Sequence, residues 1–135
     1  MLKQLSIYAE NKRGALEQMT RLLAEAGINI WGSCTNEATE FGVNRMVVDD
    51  PYKAKEVLEN AGYMCKLTNV IGVQVADEVG NLHKMLKALS DSNINIDYIY
   101  LSFDRGSGTP VMVFHTEDPA EVECCIQGKG FTIVE

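Results

Sequence analysis

Two glycines, each placed just before an amphipathic stretch, are the residues of this chain best suited to bind a small anion. Gly14 precedes ALEQMTRLLAEAG and Gly80 precedes NLHKMLKALSDSN, and in both stretches leucine and methionine recur at helical spacing. A helix that begins at such a glycine offers unpaired backbone amides and the positive end of its dipole, and glycine lets a ligand approach the backbone. The α-carboxylate of a free amino acid suits such a site.

Residues typical of catalysis are present but are not grouped. An enzyme would need a nucleophile with a base, a carboxylate pair at a defined separation, or metal ligands. The chain offers two isolated histidines, His83 and His115, and scattered carboxylates. An acylphosphatase-like fold would need an arginine in its phosphate loop. Arg13, before Gly14, is the lone candidate, and the loop before Gly80 has no counterpart. We therefore expect no enzyme, no metal and no cofactor.

The cysteines do not form a recognisable framework. There is no C-x-x-C pair among the four cysteines, Cys34, Cys65, Cys124 and Cys125. Two of them are adjacent, and adjacent cysteines are poorly placed to bridge to each other or to chelate one ion. We expect reduced thiols, as in a cytoplasmic protein, rather than disulfides or a zinc site.

The chain repeats itself. NKRGALEQMTRLLAEAGINI (residues 11–30) is answered by DEVGNLHKMLKALSDSNINI (residues 77–96), with the matching positions 66 residues apart. Around each segment the hydrophobic pattern predicts the order strand, helix, strand, strand, helix, strand. The spacing grows to 68 between Pro51 and Pro119, so the second copy carries two extra residues between its third strand and its second helix.

This repeated order predicts an α+β fold of two ferredoxin-like βαββαβ units packed as a pair. We place the first unit at residues 1–68 and the second at residues 69–135, joined near residues 67–71 without a flexible spacer. The stretch ATEFG (residues 38–42) is expected to connect the two strands of a hairpin, and Asp49 or Asp50 to cap the helix that begins at Pro51.

The charge of the chain argues against nucleic acid as a partner. Twelve basic and nineteen acidic residues give a net charge of −7, which would repel phosphate backbones. RNA binding by a fold of this kind would need stacking aromatics on a basic surface, and only Tyr98 and Tyr100 fit the first requirement. No stretch has the length and apolarity of a membrane span, and MLKQLSIYAE lacks the features of a signal peptide. We expect a cytoplasmic protein.

The sequence resembles the ACT family, the small-molecule-sensing domains found on amino-acid biosynthetic enzymes. The resemblance lies in Gly14-x-Leu16 and Gly80-x-Leu82, each followed fourteen residues after the glycine by I-N-I. AENKRG and GINI look like the serine-sensing domain of phosphoglycerate dehydrogenase, and NINIDYIYLS looks like the paired ACT domains of aspartokinases. The family's usual proline before the glycine is replaced by Arg13 and Val79.

The resemblance implies a site where two ACT units meet, built from the loop before the first helix and from the second strand. Asn11 and Asn29 match ligand-contacting positions of the serine-sensing relative, and their amides both donate and accept hydrogen bonds, as a zwitterion requires. The implied ligand-binding residues are Asn11, Arg13, Gly14, Ala15, Leu16, Asn29, Ile30 and Trp31 in the first copy, and Asp77, Val79, Gly80, Asn81, Leu82, Asn95 and Ile96 in the second.

The function implied by the resemblance is a non-catalytic sensor that binds a free amino acid, histidine or another polar one. The partners implied are a second copy in a homodimer and an enzyme of amino-acid metabolism. The alternative is an interaction or dimerisation module without a ligand. In that case Asn11 and Asp77 would be ordinary helix caps, and the asparagines of the I-N-I segments would simply face solvent.

Overall fold

The computed structural model of the protein describes residues 1–10, 12–36 and 41–135. The chain divides into two compact units. The first unit is Lys3–Thr68, and the second unit is Asn69–Glu135 together with Met1–Leu2. Each unit mixes helices with antiparallel strands, which confirms the predicted α+β class.

The first unit is built on three complete strands and two helices. They are β1 (Leu2–Glu10), α1 (Ala15–Glu25), β2 (Ile30–Asn36), β3 (Phe41–Val48) and α2 (Pro51–Asn60), followed by the start of β4 (Met64–Gln74). β3 lies between β1 and β2 and is antiparallel to both, and β1 also pairs with β4. The predicted hairpin connection at residues 38–42 falls largely outside the described residues.

The second unit uses the end of β4 as its first strand. It continues with α3 (Asn81–Asp91), β5 (Tyr98–Phe103), β6 (Pro110–His115), α4 (Pro119–Gly128) and β7 (Ile133–Val134). The strand order is β5-β6-β4-β7, and β6 is antiparallel to both β5 and β4. The first unit has the corresponding order β2-β3-β1-β4.

The join between the two copies near residues 67–71 is not a separate linker, because β4 runs without interruption from Met64 to Gln74, through the division of the two units at Thr68 and Asn69. No proline interrupts this stretch, and its one glycine, Gly72, is buried inside the strand. A Cβ at Gly72 would lie 2.7 Å from Leu2 Cδ1 and 3.3 Å from Val111 Cγ1. Gly72 therefore allows close packing of neighbouring chain segments and does not end the strand.

The hydrophobic core is repeated in the same way as the sequence. In the first unit it is formed by Leu5, Ile7, Met19, Leu23, Ile28, Met46, Val48, Ala54 and Leu58. In the second unit it is formed by Ile71, Val73, Val75, Met85, Leu89, Phe114, Val122 and Ile126. Corresponding residues are 66 positions apart in the strands and the first helix, for example Met19 and Met85. They are 68 apart in the second helix, as for Leu58 and Ile126.

The N-caps of α2 and α4 show where the two extra residues of the second unit lie. Asp50 caps α2, since its Oδ1 accepts from Lys53 N at 3.1 Å. Asp118 caps α4 in the same way, accepting from Glu121 N at 3.3 Å. Matching these caps, and matching β3 to β6, leaves residues 116–117 as the insertion in the second unit.

Candidate functional site

Both glycines predicted to start a helix have the left-handed backbone that favours glycine. Gly14 has φ 82° and is the N-cap of α1, and Gly80 has φ 88° and is the N-cap of α3. Within the described residues neither helix has a side-chain cap, so the alternative in which Asp77 caps α3 is wrong. Glycine takes this role because a side chain would strain the backbone at positive φ.

The loops before the two helices have the same backbone hydrogen bonds at a spacing of 66. Lys12 N donates to Glu10 O at 3.0 Å and Ala15 N donates to Lys12 O at 3.2 Å. The matching bonds of the second unit run from Glu78 N to Ala76 O at 2.8 Å and from Asn81 N to Glu78 O at 3.2 Å. The remaining amides of each first turn have no intrahelical carbonyl to donate to. Among the described residues nothing else accepts a hydrogen bond from them, so they can bind an anion.

The side chains around these amides are mostly exposed. The exposed residues are Arg13, Gly14 and Leu16 in the first unit and Asp77, Val79, Gly80 and Leu82 in the second, while Ala15 is half-buried. Asn81 is partly tied down, because its Nδ2 donates to Ala76 O at 3.1 Å. Asn11, for which a ligand contact is predicted, lies outside the described residues.

A shallow cavity of about 230 Å³ adjoins the first of these loops. It is lined by Tyr8, Ala9, Glu10, Lys12, Ala15, Gln18, Gly62 and Tyr63. The end of β1, the start of α1 and the turn before β4 therefore meet at this point. Lys12 Nζ lies 3.3 Å from Glu10 Oε2, so the cavity rim carries both signs of charge.

The I-N-I segments contribute to different cavities. A groove of about 450 Å³ along α1 includes Asn29 and Ile30, and a matching groove of about 390 Å³ along α3 includes Asn95 and Ile96. The isoleucines of both segments pack against the unit's core, whereas both asparagines are exposed. Trp31, at the start of β2, is half-buried.

Helix α1 separates the two groups of predicted ligand-binding residues within one unit. Gly14 lies at its first turn and Asn29 follows its last. With 11 residues, the helix is about 16 Å long, which exceeds the reach of a free amino acid. One unit alone therefore does not bring its glycine loop and its asparagine to the same ligand.

The two units differ at the end where the asparagine lies. In the first unit Asn29 N donates to Asp49 Oδ1 at 3.1 Å, and Asp49 N donates to Asn29 O at the same distance. In the second unit Asp97 N donates to His115 O at 3.0 Å, and Asp97 Oδ2 lies 2.7 Å from His115 Nδ1. His115 is half-buried, whereas His83 is exposed.

The aromatic residues considered for RNA stacking are occupied. Tyr98 is stacked on His115, with ring centroids 5.4 Å apart. Tyr100 is 6% exposed. Neither ring presents an open face of the kind that stacks on an unpaired base.

The cysteine side chains are not joined by disulfide bonds, and one of them has a raised pKa. All four cysteines are free thiols. Burial, and to a lesser extent the negative charge of Glu59, raises the pKa of Cys65 to about 11, which keeps this thiol protonated at neutral pH. Within the described ranges no three His, Cys, Asp or Glu side chains are grouped so that they could hold a metal ion.

Comparison with known proteins identifies the family. A family model described as an ACT domain pair matches residues 1–135. The chain belongs to the family of ACT domain pairs. Protein BT0572 from Bacteroides thetaiotaomicron is 31% identical, with a TM-score of 0.89 over 98% of this chain and 91% of that one. The resemblance to the ACT family is thereby confirmed.

This ACT domain pair also shares its fold with aspartate kinase regulatory subunits. The subunit from Thermus thermophilus has a TM-score of 0.66 at 15% identity, over 95% of this chain and 92% of that one. The subunit from Thermus flavus has the same TM-score at 20% identity, over 92% and 86%. The comparison with curated proteins gave no match. Among the described residues, no helix combines the length and apolarity needed to cross a membrane.

Sequence analysis missed one feature of the ACT domain pair. The second unit contains a cavity of about 340 Å³ between the end of α3 and the start of α4, and the inserted residues Thr116 and Glu117 line it. The change of spacing from 66 to 68 was the signal that could have located it.

Proposed function

We propose that this ACT domain pair is a non-catalytic regulatory protein that binds a free amino acid. The observation that carries the proposal is the duplicated helix start, in which Gly14 and Gly80 share a left-handed backbone and the loops share their hydrogen bonds. An α-carboxylate at such a helix start accepts from unpaired amides and gains from the helix dipole. Aspartate kinase regulatory subunits, which share this fold, carry a regulatory role in their names.

The proposed site is completed by a second ACT unit. Because α1 separates Gly14 from Asn29, we place the ligand where the glycine loop of one unit meets the asparagine strand of another. The ligand's carboxylate binds the loop, and its ammonium and side chain bind asparagine amides. Histidine or another polar amino acid suits this site, and we propose a homodimer as the assembly.

The proposal includes the fold and the bounds of each unit. Each unit is a ferredoxin-like βαββαβ domain, with bounds of residues 1–68 and 69–135. The corresponding strand orders of the two units support this assignment. The bound state is sensed by a partner enzyme of amino-acid metabolism, through a change in the population of two conformations.

A thermal-shift screen of the protein against the twenty amino acids tests the proposal. A ligand present at about 100 times its dissociation constant stabilises the folded state by roughly 2.7 kcal/mol. The double variant Asn11→Ala with Asn29→Ala should lose this stabilisation. The control is Asn60→Ala, which removes an exposed amide at the far end of α2. A full response in the double variant would show that the site lies elsewhere.

The alternative, an interaction module without a ligand, is favoured by apolar side chains exposed near the glycine loops. Leu16 is 46% exposed, Leu82 41% and Val79 fully exposed. Light scattering of the variant Leu16→Ser with Leu82→Ser distinguishes the two functions. Dissociation of an oligomer, together with a flat amino-acid screen, would support the interaction module.

A further inference from the structure

The second unit exposes four apolar side chains near its glycine loop. Val79 is fully exposed and Leu82 is 41% exposed, while Leu101 and Phe103 on β5 are 48% and 45% exposed. Single exposed apolar residues are ordinary, but a contiguous group of them marks an interaction surface. These four residues form such a group if the end of β5 reaches the loop.

The pairing of the strands brings the end of β5 close to the loop. Phe103 is paired with Pro110 on β6, and Pro110 O accepts from Val75 N at 2.9 Å, directly before the loop begins. Two strand spacings, about 10 Å, therefore separate Phe103 from the start of the loop. Phe103 and Leu101 share a face of β5 with Ile99, which packs against the core on the side of α3. The four exposed residues thus form one apolar patch, at the end of the unit where α3 begins.

The first unit keeps only part of this apolar character. Leu16 corresponds to Leu82 and is 46% exposed. Arg13 occupies the position of Val79, and Thr35 occupies that of Leu101. The apolar patch is therefore specific to the second unit, and the corresponding loop of the first unit presents a cation beside a leucine.

The two glycine loops carry opposite charges. The loop of the second unit contains the exposed acids Asp77 and Glu78 and no lysine or arginine. The loop of the first unit contains Lys12 and Arg13. Lys12 Nζ lies 3.3 Å from Glu10 Oε2, whereas Arg13 has no ion-pair partner among the described residues. Opposite potentials attract two surfaces and fix their orientation.

A second copy of the chain fits this combination of charge and apolar surface. The side chains of both loops are exposed, so they are available to another copy. Contact between two second-unit loops would place acid against acid, and contact between two first-unit loops would place cation against cation, which is unfavourable. Contact between a first-unit loop and a second-unit loop joins opposite charges, and two-fold symmetry generates this contact twice.

We propose that two copies of the chain associate by placing the first-unit glycine loop of one copy on the apolar patch of its partner. Leu16 packs on the patch, and the cations of its loop lie against Asp77 and Glu78 at the rim, as in interfaces with an apolar centre and a polar edge. This inference rests on the homodimer of the proposed function and names its contact. It involves no asparagine strand and needs no bound amino acid.

Two variants with exchanged charges test the proposal by analytical ultracentrifugation without amino acid. Lys12→Glu with Arg13→Glu makes the first loop acidic, and Asp77→Lys with Glu78→Lys makes the second loop basic. Each variant alone should dimerise at least about tenfold more weakly than the wild type, because like charges then meet in both copies of the contact. An equimolar mixture of the two variants should regain the wild-type affinity as a heterodimer, because each of its contacts again joins opposite charges.

Two matched controls separate this contact from general effects of charge and apolarity. Glu25→Lys with Glu56→Lys makes the same change of charge at exposed positions of the first unit and should leave dimerisation unchanged. Phe103→Ser should weaken dimerisation about tenfold, because a ring buried on association is lost. Tyr52→Ser removes a ring that is 64% exposed at the start of α2 and should have no effect.

Three results would overturn the proposal: a wild type that stays monomeric at high micromolar concentration, charge variants that dimerise as tightly as the wild type, or a mixture that forms no heterodimer. If circular dichroism shows that a double variant does not fold, Arg13→Glu and Asp77→Lys replace the two pairs. A flat amino-acid screen would refute the ligand proposal and leave these results unchanged, so the two failures are distinguishable.

Discussion

Replacing Gly80 by alanine should destabilise the second unit through the backbone alone. Gly80 has φ 88°, and a Cβ built there has no atom within 4 Å. The left-handed conformation costs an L-residue about 1–2 kcal/mol. Alanine also restricts the unfolded chain, which offsets about 0.4–1 kcal/mol of that cost. The expected net loss is about 1 kcal/mol, with no contribution from steric overlap.

Two further variants give this prediction its controls. Gly14→Ala repeats the substitution in the first unit, where φ is 82° and the Cβ again has open space, so the same loss is expected. Gly128→Ala lies within α4, has no positive φ and also meets nothing within 4 Å. It should stabilise the protein by about 0.5–1 kcal/mol, because alanine favours a helix over glycine.

Urea unfolding measures these changes as shifts of the transition midpoint at constant slope. Far-UV circular dichroism follows both units, and the fluorescence of the single tryptophan, Trp31, follows the first. If Gly80→Ala proves as stable as Gly128→Ala, the left-handed helix start is not what selects glycine at this position. A loss well above about 2 kcal/mol would instead indicate a steric contact that the structure does not contain.

Three further predictions concern packing, capping and a thiol. Gly72→Ala should cost about 1–3 kcal/mol in urea unfolding, because its Cβ would overlap the Leu2 side chain; unchanged stability would contradict that close packing. Asp50→Ala and Asp118→Ala should each cost about 1 kcal/mol by loss of a helix cap, whereas equal stability of both variants with the wild type would refute the capping role. Because burial raises the pKa of Cys65 to about 11, less of it is thiolate at a pH near the ordinary pKa of a cysteine thiol, so iodoacetamide should modify it far more slowly in the native protein than in denaturant; equal rates, measured by mass spectrometry, would contradict the effect of burial.

The parts of the fold that the sequence predicted are those governed by short-range rules. Gly14 and Gly80 were located correctly because a left-handed residue before an amphipathic stretch strongly favours glycine. The helix starts at Pro51 and Pro119 followed from the proline preference for the first turn. The choice between Asp49 and Asp50 as the cap stayed open in the sequence, because either aspartate could accept the bond.

The parts that could not be predicted depend on residues that are distant in the chain. The continuity of β4 is one such case, because the same sequence fits either two short strands, one in each unit, or one long strand. The pairing of His115 with Asp97 is another, because it depends on the pairing of β5 with β6. The separation of Gly14 from Asn29 by a helix became informative only once the helix bounds were known.

The two copies have kept the same glycine helix starts and have diverged at the opposite ends of those helices. A ligand that uses only the shared starts would meet two similar positions in each chain. Titration with an amino acid that binds these starts should therefore give two ligands per chain, and a stoichiometry of one would show that the diverged ends take part in binding.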